Sequence, residues 1–124
     1  VDNNGLHGIG AVSEKEYAEF LPQFLAHIRK LAPNAKLIWA SSTPSNVNGK
    51  FEQTDARNEN VKERNRIAAE LMGKENIPVD DLYGLMIGHP ECCADSLHYN
   101  AAGKTMQGAQ VAGEILKLLP AKAK

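Results

Sequence analysis

Asp95 and His98 are the residues of this sequence whose types and spacing most directly allow chemistry. They lie three positions apart in Asp95-Ser96-Leu97-His98, so a tight turn brings the carboxylate alongside the imidazole ring. A histidine held in this way can take the proton of a serine hydroxyl, which is a weak nucleophile until a neighbouring base acts on it. The carboxylate fixes the tautomer of the ring and stabilises the imidazolium that forms. The pair therefore predicts a histidine base that activates a nucleophile, as in a hydrolase.

The loop that carries this pair must be held by the elements on either side of it. Asn100 is a favourable N-cap residue, and the apolar spacing after it predicts a helix over Ala101–Leu118 that anchors the loop. Residues 77–82 predict a short strand, and a mixed segment follows that strand as far as Ala94.

An earlier helix and strand precede these elements. Ser13 and Glu16 have capping-box spacing, and Pro22 predicts a bend or a late start in the helix that follows over residues 14–31. Its apolar stripe consists of Tyr17, Phe20, Phe24, Ile28 and Leu31. Residues 36–41 are mostly apolar, which is typical of a buried parallel strand. A polar loop over residues 45–55 follows, of the kind that often carries function at the carboxyl edge of a sheet.

The alternation of helices and strands predicts an α/β fold. The helix between the two strands is outlined by Val61, Ile67, Ala68, Leu71 and Met72. Two strands and a stub at Val1 are little sheet for three helices, so we expect apolar helix surface to lack a partner. We also expect marginal stability, because the open sheet edge favours association.

Composition limits the class of protein. The chain has 124 residues, which is one domain at most, and 14 basic against 15 acidic residues give a net charge of -1. This balance, without a basic run, argues against a nucleic-acid partner. No apolar run reaches the roughly 20 residues that a membrane span needs. Adjacent Cys92 and Cys93 do not decide the compartment, so a secreted or periplasmic location stays open.

Five blocks in this order resemble the SGNH (GDSL-type) esterases and lipases across essentially the whole chain. The blocks are Val1-Asp2-Asn3-Asn4-Gly5-Leu6-His7, Ser42-Thr43-Pro44, Asn65 with Ile67-Ala68, Asp80-Asp81-Leu82-Tyr83 and Asp95-Ser96-Leu97-His98. The resemblance implies a flavodoxin-like, three-layer α/β/α fold with a parallel sheet. It also implies a nucleophilic serine after the first strand and an oxyanion-hole glycine in the second block, and neither block is found in this sequence. We therefore expect residues 1–124 to be the C-terminal part of one such domain, after about two βα units or roughly 60 residues.

The resemblance assigns roles to six residues. Asp95 and His98 match the catalytic aspartate and histidine, and Asn3 matches the asparagine whose amide helps to hold the oxyanion. Asn4, His7 and Thr43 would contact the substrate. Asn4 stands where aspartate is common in the family, which leaves the choice between Asn3 and Asn4 open for the oxyanion contact. His7 is equally compatible with a solvent-facing loop. The implied substrate is a small ester, such as an O-acetylated carbohydrate, hydrolysed without a cofactor or metal. Without its serine the chain alone is expected to be inactive.

Two alternatives come from other classes of protein. His89, Cys92, Cys93 and His98 crowd together in the sequence, and imidazole with thiolate suits zinc, although no Cys-x-x-Cys or helical His-x-x-x-His pair is present. A non-catalytic binding module or pseudoenzyme is the other alternative, because the nucleophile is missing. Ser41, Ser42 and Thr43 follow a predicted strand, where such residues usually end the strand and shape a loop.

Overall fold

The computed structural model describes residues 12–51 and 56–120, and it confirms the α/β class. Within these ranges the order of elements is α1 (Glu14–Leu31), β1 (Trp39–Ala40), α2 (Ala56–Lys74), β2 (Val79–Asp80), α3 (Leu82–Ile87) and α4 (Ala101–Leu118). A 3₁₀ turn at Pro90–Cys92 lies between α3 and α4. The bounds of α1 and α4 agree with the sequence prediction.

The two strands pair in parallel, with Trp39 opposite Val79 and Ala40 opposite Asp80. Each strand is shorter than predicted. Pro78 has no N–H to donate to a ladder, which limits pairing before Val79. After Asp80 the chain turns at once into α3, whose N-cap is Asp81.

The capping box predicted for α1 is confirmed. The Ser13 hydroxyl accepts from the Glu16 amide, and the Glu16 carboxylate accepts from the Ser13 amide at 2.8 Å. The helix starts at Glu14 and continues through Pro22, so the late start does not occur.

The apolar stripe predicted for α1 is only partly buried. The buried row is Tyr17, Leu21 and Leu25, at a spacing of four residues. Phe20 and Phe24 are instead 58% and 56% exposed, and Leu31 is 71% exposed, so this part of the stripe is apolar surface of the kind expected to lack a partner. Helical spacing correctly identified an apolar surface on α1, but the described neighbours of α1 cover only part of that surface.

A larger hydrophobic cluster packs α1 against α2 and the strands. Its buried members are Tyr17, Leu21, Leu25, Ala68, Met72 and Ile77, with Trp39 packed against them. A smaller cluster consists of Met86 in α3, Cys92 and Tyr99, with Met106 of α4 packed on it. Since Cys92 and Tyr99 flank the Asp95–His98 segment on both sides, this second cluster is the apolar base of the loop.

Apolar surface remains uncovered at the end of α4 as well. Ile115, Leu116 and Leu119 are between 46% and 67% exposed. These side chains, with those of α1, agree with the expectation that the helices carry more apolar surface than two short strands cover. None of the described helices is both long enough and apolar enough to cross a bilayer.

Candidate active site

Residues 93–99 form a short closed loop. Cys93 and Tyr99 pair as an isolated antiparallel bridge, which joins the two ends of the loop. The Ala94 amide donates to the His98 carbonyl at 2.8 Å. Asp95 and His98 therefore lie within one hydrogen-bonded turn.

This loop lies against the chain that leaves the carboxyl end of β1. The Tyr99 hydroxyl donates to the Pro44 carbonyl at 2.9 Å, and both residues are buried. The Asn46 backbone amide donates to the Ser96 carbonyl at 3.0 Å. In open α/β folds, ligands bind outside the carboxyl ends of the strands, which is where these contacts place the loop.

The structure brings the Asp95 and His98 side chains together. His98 Nδ1 lies 2.8 Å from Asp95 Oδ2 and 3.0 Å from Asp95 Oδ1. Asp95 Oδ1 also accepts the amides of Leu97 at 2.8 Å and of His98 at 2.7 Å. The carboxylate is thus oriented by backbone groups of the same turn as well as by the ring.

These hydrogen bonds determine which nitrogen of His98 carries the proton. The amides of Leu97 and His98, followed by the His98 side chain, lower the pKa of Asp95 to about 2. The carboxylate is therefore ionised at neutral pH and can only accept hydrogen bonds. Nδ1 must donate to it, which leaves Nε2 of a neutral ring as the basic nitrogen.

The free nitrogen of His98 is accessible. The His98 side chain is 67% exposed and that of Asp95 is 57% exposed. Among the described residues, the hydrogen bonds of the ring all run through Nδ1. A group placed next to Nε2 could therefore pass a proton to the ring and later receive it back.

The start of α4 anchors the loop, and the predicted N-cap is confirmed. The Asn100 side-chain oxygen accepts from the Gly103 amide at 3.1 Å, and the Asn100 backbone amide donates to the Cys92 carbonyl at 2.8 Å. Gly103 is buried directly against the base of the loop: a Cβ there would lie 2.9 Å from Tyr99 Cβ and 3.0 Å from Cys92 Cβ. Helix α4 and the loop are in close contact at this point.

The other predicted site residues divide into two groups. Thr43 lies beside the loop, since it precedes Pro44, whose carbonyl accepts the Tyr99 hydroxyl at 2.9 Å. Burial raises the pKa of the Tyr99 phenol, and the neighbouring Thr43 side chain acts in the opposite direction. Asn3, Asn4 and His7 lie outside the described residues.

The hydroxyl that ends β1 is engaged within the fold. Ser41 is buried, its Oγ donates to Asp81 Oδ1 at 3.3 Å, and it accepts the Tyr83 amide at 3.0 Å. At Ser42 the backbone amide and carbonyl each bond the Asn65 side chain at 2.9 Å. Both contacts fit the expectation that these residues end a strand and shape a loop.

One residue at this site was not identified from the sequence. Asn46 is 3% exposed, and its side-chain amide donates to the Asp95 carbonyl at 2.8 Å. The Asn48-Gly49 pair two residues later is typical of a tight turn and was the one available signal that Asn46 has a fixed position. Its partner lies 49 residues away, which no local pattern indicates.

The alternative zinc site does not form in the described part of the chain. There, no three His, Cys, Asp or Glu side chains gather as metal ligands. His89 Nδ1 instead contacts the Glu91 carboxylate at 2.8 Å, and His98 Nδ1 is occupied by Asp95. Cys92 and Cys93 are free thiols, and burial raises the pKa of Cys93, which disfavours the thiolate that a metal requires.

Comparison with known proteins identifies a family. The sequence profile of the GDSL-like lipase/acylhydrolase family matches residues 3–106, a range that includes all six predicted site residues. No curated protein sequence matched the chain.

Solved structures share this fold. The esterase domain of the ORF1 protein from the zebrafish ZfL2-1 retrotransposon superimposes with a TM-score of 0.74 at 13% identity, over 89% of this chain and 63% of that one. A lipase/acylhydrolase from Enterococcus faecalis superimposes with a TM-score of 0.66 at 26% identity, over 90% of this chain and 56% of that one. A GDSL-like lipase from Bacteroides thetaiotaomicron superimposes with a TM-score of 0.60 at 23% identity, over 82% of this chain and 54% of that one. The chain thus spans less than two thirds of the length of each of these proteins.

Proposed function

Because the chain belongs to the GDSL-like lipase/acylhydrolase family, we propose that it supplies the acid–base pair of an ester-hydrolysing active site. The observation that carries this proposal is the bond of 2.8 Å between His98 Nδ1 and Asp95 Oδ2. With Nδ1 committed to an ionised carboxylate, Nε2 is the nitrogen available to a nucleophile. His98 is the general base of the proposed site, and Asp95 orients it.

The proposed reaction is a two-step acyl transfer. A serine hydroxyl attacks the ester carbonyl carbon while His98 Nε2 takes the hydroxyl proton. The tetrahedral oxyanion collapses as His98 returns that proton to the departing alcohol, which leaves an acyl-serine. Water then attacks the acyl carbon with its proton passing to His98. The second tetrahedral oxyanion collapses as His98 returns that proton to the departing serine oxygen, and the products are a carboxylic acid and the restored serine. Asp95 stabilises the imidazolium in both steps.

Substrate and oxyanion contacts are proposed from the family pattern. The Asn3 side-chain amide would donate to the oxyanion, a kind of contact whose loss costs about 2.7–4 kcal/mol in a well-studied protease. Asn4, His7 and Thr43 would contact the substrate, a small ester of the class that includes O-acetylated carbohydrates. Thr43 is supported by its position beside Tyr99, next to the general base.

We propose that the serine comes from sequence preceding Val1 in a longer protein, and that the 124-residue chain alone has no serine-esterase turnover. In support, the chain covers 63%, 56% and 54% of the length of the three structures it resembles. The resemblance places the nucleophile block ahead of the first matched block.

The test compares the 124-residue chain with the protein extended through the upstream coding sequence, using hydrolysis of a short acyl ester. We expect turnover only in the extended protein, and a fall of about 10²- to 10⁴-fold on replacing the general base in His98→Ala. His27→Ala is the matched control, because His27 is an exposed histidine on α1, remote from the 93–99 loop in the sequence.

Two outcomes would overturn this proposal. The first is His98-dependent turnover by the 124-residue chain alone, which would mean that the nucleophile lies within it. The second is an extended protein with a serine at the expected strand end whose activity is the same in His98→Ala as in His27→Ala.

A further inference from the structure

We propose that Asn46 is a positioning residue for the Asp95–His98 pair. Asn46 lies outside the 93–99 loop and holds this loop, which carries both side chains, in place. The catalytic meaning of this role rests on the function proposed above. The structural role itself can be measured without any activity.

Asn46 contacts two successive peptide groups of the loop. Its side-chain Nδ2 donates to the Asp95 carbonyl at 2.8 Å, and its backbone amide donates to the Ser96 carbonyl at 3.0 Å. The buried partner in these bonds is Asn46, which is 3% exposed, whereas Asp95 and Ser96 are exposed residues. A buried side-chain amide that lost its acceptor would be costly, so burial of Asn46 favours the bonded position of the loop.

The geometry links these contacts to the Asp95 carboxylate. The Ser96 carbonyl and the Leu97 amide belong to the same planar peptide group. The Asn46 backbone amide holds the carbonyl side of this group, while the Leu97 amide on the other side donates to Asp95 Oδ1 at 2.8 Å. A rotation of this plane would remove one of the hydrogen bonds that orient the carboxylate toward the ring. The Asn46 side chain keeps the backbone amide in register, because its Nδ2 donates to the preceding Asp95 carbonyl and its Oδ1 accepts the Gly49 amide. Asn46→Ala retains the backbone amide and removes both of these side-chain bonds.

Asn46 is itself fixed by the turn that follows it. Its Oδ1 accepts the Gly49 amide at 2.8 Å. Val47 and Lys50 exchange two backbone hydrogen bonds of 3.1 and 3.0 Å across Asn48 and Gly49, whose φ values are 52° and 73°. Asn-Gly is the sequence that tolerates two such residues in succession. The hydrogen bonds of this turn hold the side chain that reaches the loop.

Asn65 provides a matched control. It is also an asparagine whose side-chain amide bridges backbone groups, since its Oδ1 and Nδ2 bond the amide and carbonyl of Ser42, each at 2.9 Å. Its described hydrogen bonds do not involve residues 93–99. Asn65→Ala therefore removes a comparable side chain without touching the Asp95–His98 loop.

The experiment is NMR on the labelled 124-residue chain, with Asn46→Ala and Asn65→Ala. Alanine is chosen over aspartate because a new carboxylate near Asp95 would itself raise the Asp95 pKa. In Asn46→Ala we expect the Asp95 carboxyl midpoint to rise by about one pH unit toward its ordinary value near 3.9, with faster solvent exchange of the His98 Nδ1 proton. In Asn65→Ala both readouts should match the wild-type chain. Equal midpoints and exchange rates in all three proteins would overturn the proposal.

A second measurement keeps the proposal testable if Asn46→Ala does not fold. In the wild-type chain, the Asn46 side-chain amide should exchange with solvent at least tenfold more slowly than that of Asn34, which is exposed, and should show coupling across the bond to the Asp95 carbonyl. An Asn46 amide that exchanges as fast as that of Asn34 would overturn it. Neither measurement needs ester hydrolysis. Failure of the esterase proposal can therefore be distinguished from failure of the structural role proposed for Asn46.

Discussion

Gly103→Ala is predicted to destabilise the chain by pressing α4 away from the 93–99 loop. An added Cβ would lie 2.9 Å from Tyr99 Cβ, 3.0 Å from Cys92 Cβ and 3.3 Å from Met86 Cε. The first two are the stems of buried side chains and cannot rotate away, whereas the Met86 methyl group can move. The strain therefore falls on Cys92, which directly precedes the loop, and on Tyr99, which ends it.

The size of the effect comes from two opposing contributions. Alanine is favoured over glycine inside a helix by about 0.8–1 kcal/mol, and this gain is smaller in the first turn, where Gly103 lies. Overpacking a filled site costs about 1–3 kcal/mol. The packing cost is the larger, so we expect a net loss of up to about 2 kcal/mol.

Gly108→Ala is the matched control, because Gly108 lies in the same helix with nothing within 4 Å of its added Cβ. It should stabilise the chain by up to about 1 kcal/mol. The free energy of unfolding of the two variants should thus differ by about 1–3 kcal/mol, which urea unfolding resolves as a shift in midpoint at unchanged slope. The amide resonances of Leu97 and His98 should shift only in Gly103→Ala. Equal stabilisation by the two substitutions would refute the argument.

The remaining predictions concern the Asp95–His98 loop and its attachment. Because the folded pKa of Asp95 is lowered to about 2, its carboxylate stabilises the loop above the ordinary pKa near 3.9 and loses that contribution as the pH falls through about 2. The Leu97 and His98 amide shifts, followed by NMR from neutral pH downward, should therefore titrate near 2, and a midpoint near 3.9 would contradict this. Tyr99→Phe should cost about 1–3 kcal/mol in urea unfolding, because the fully buried Pro44 loses the hydroxyl that its carbonyl accepts. An unchanged midpoint would contradict that contribution.

The helix boundaries could be predicted because the signals that set them are local. Ser13 and Glu16 satisfy each other's amides within one turn, and Asn100 caps α4 through the Gly103 amide three residues later. The partners in these interactions lie within one helical turn, so the sequence shows them directly. The same reasoning applies to Asp95 and His98, whose contact lies within a single turn.

The strands and the third helix were predicted less well, because their limits depend on neighbours. Residues 36–41 are mostly apolar, yet only Trp39 and Ala40 pair with β2. Helix α3 is six residues long, too short for a clear apolar period, and it lay unrecognised in the mixed segment. Phe20 and Phe24 have the spacing of core residues, but burial requires a partner surface, and the described structure places none over them.

The sequence by itself determined the family, the α/β class, the three long helices and the Asp95–His98 pair, because each is specified by residues within a few positions of one another or by the order of short blocks. Only the tertiary structure decided what supports the pair. The Asn46 side-chain amide donates to the Asp95 carbonyl, 49 residues away in the sequence, and the Tyr99 hydroxyl donates to the Pro44 carbonyl, 55 residues away. Contacts at such separations form only after the whole chain has closed its loops, and their partners are selected by packing rather than by any local preference.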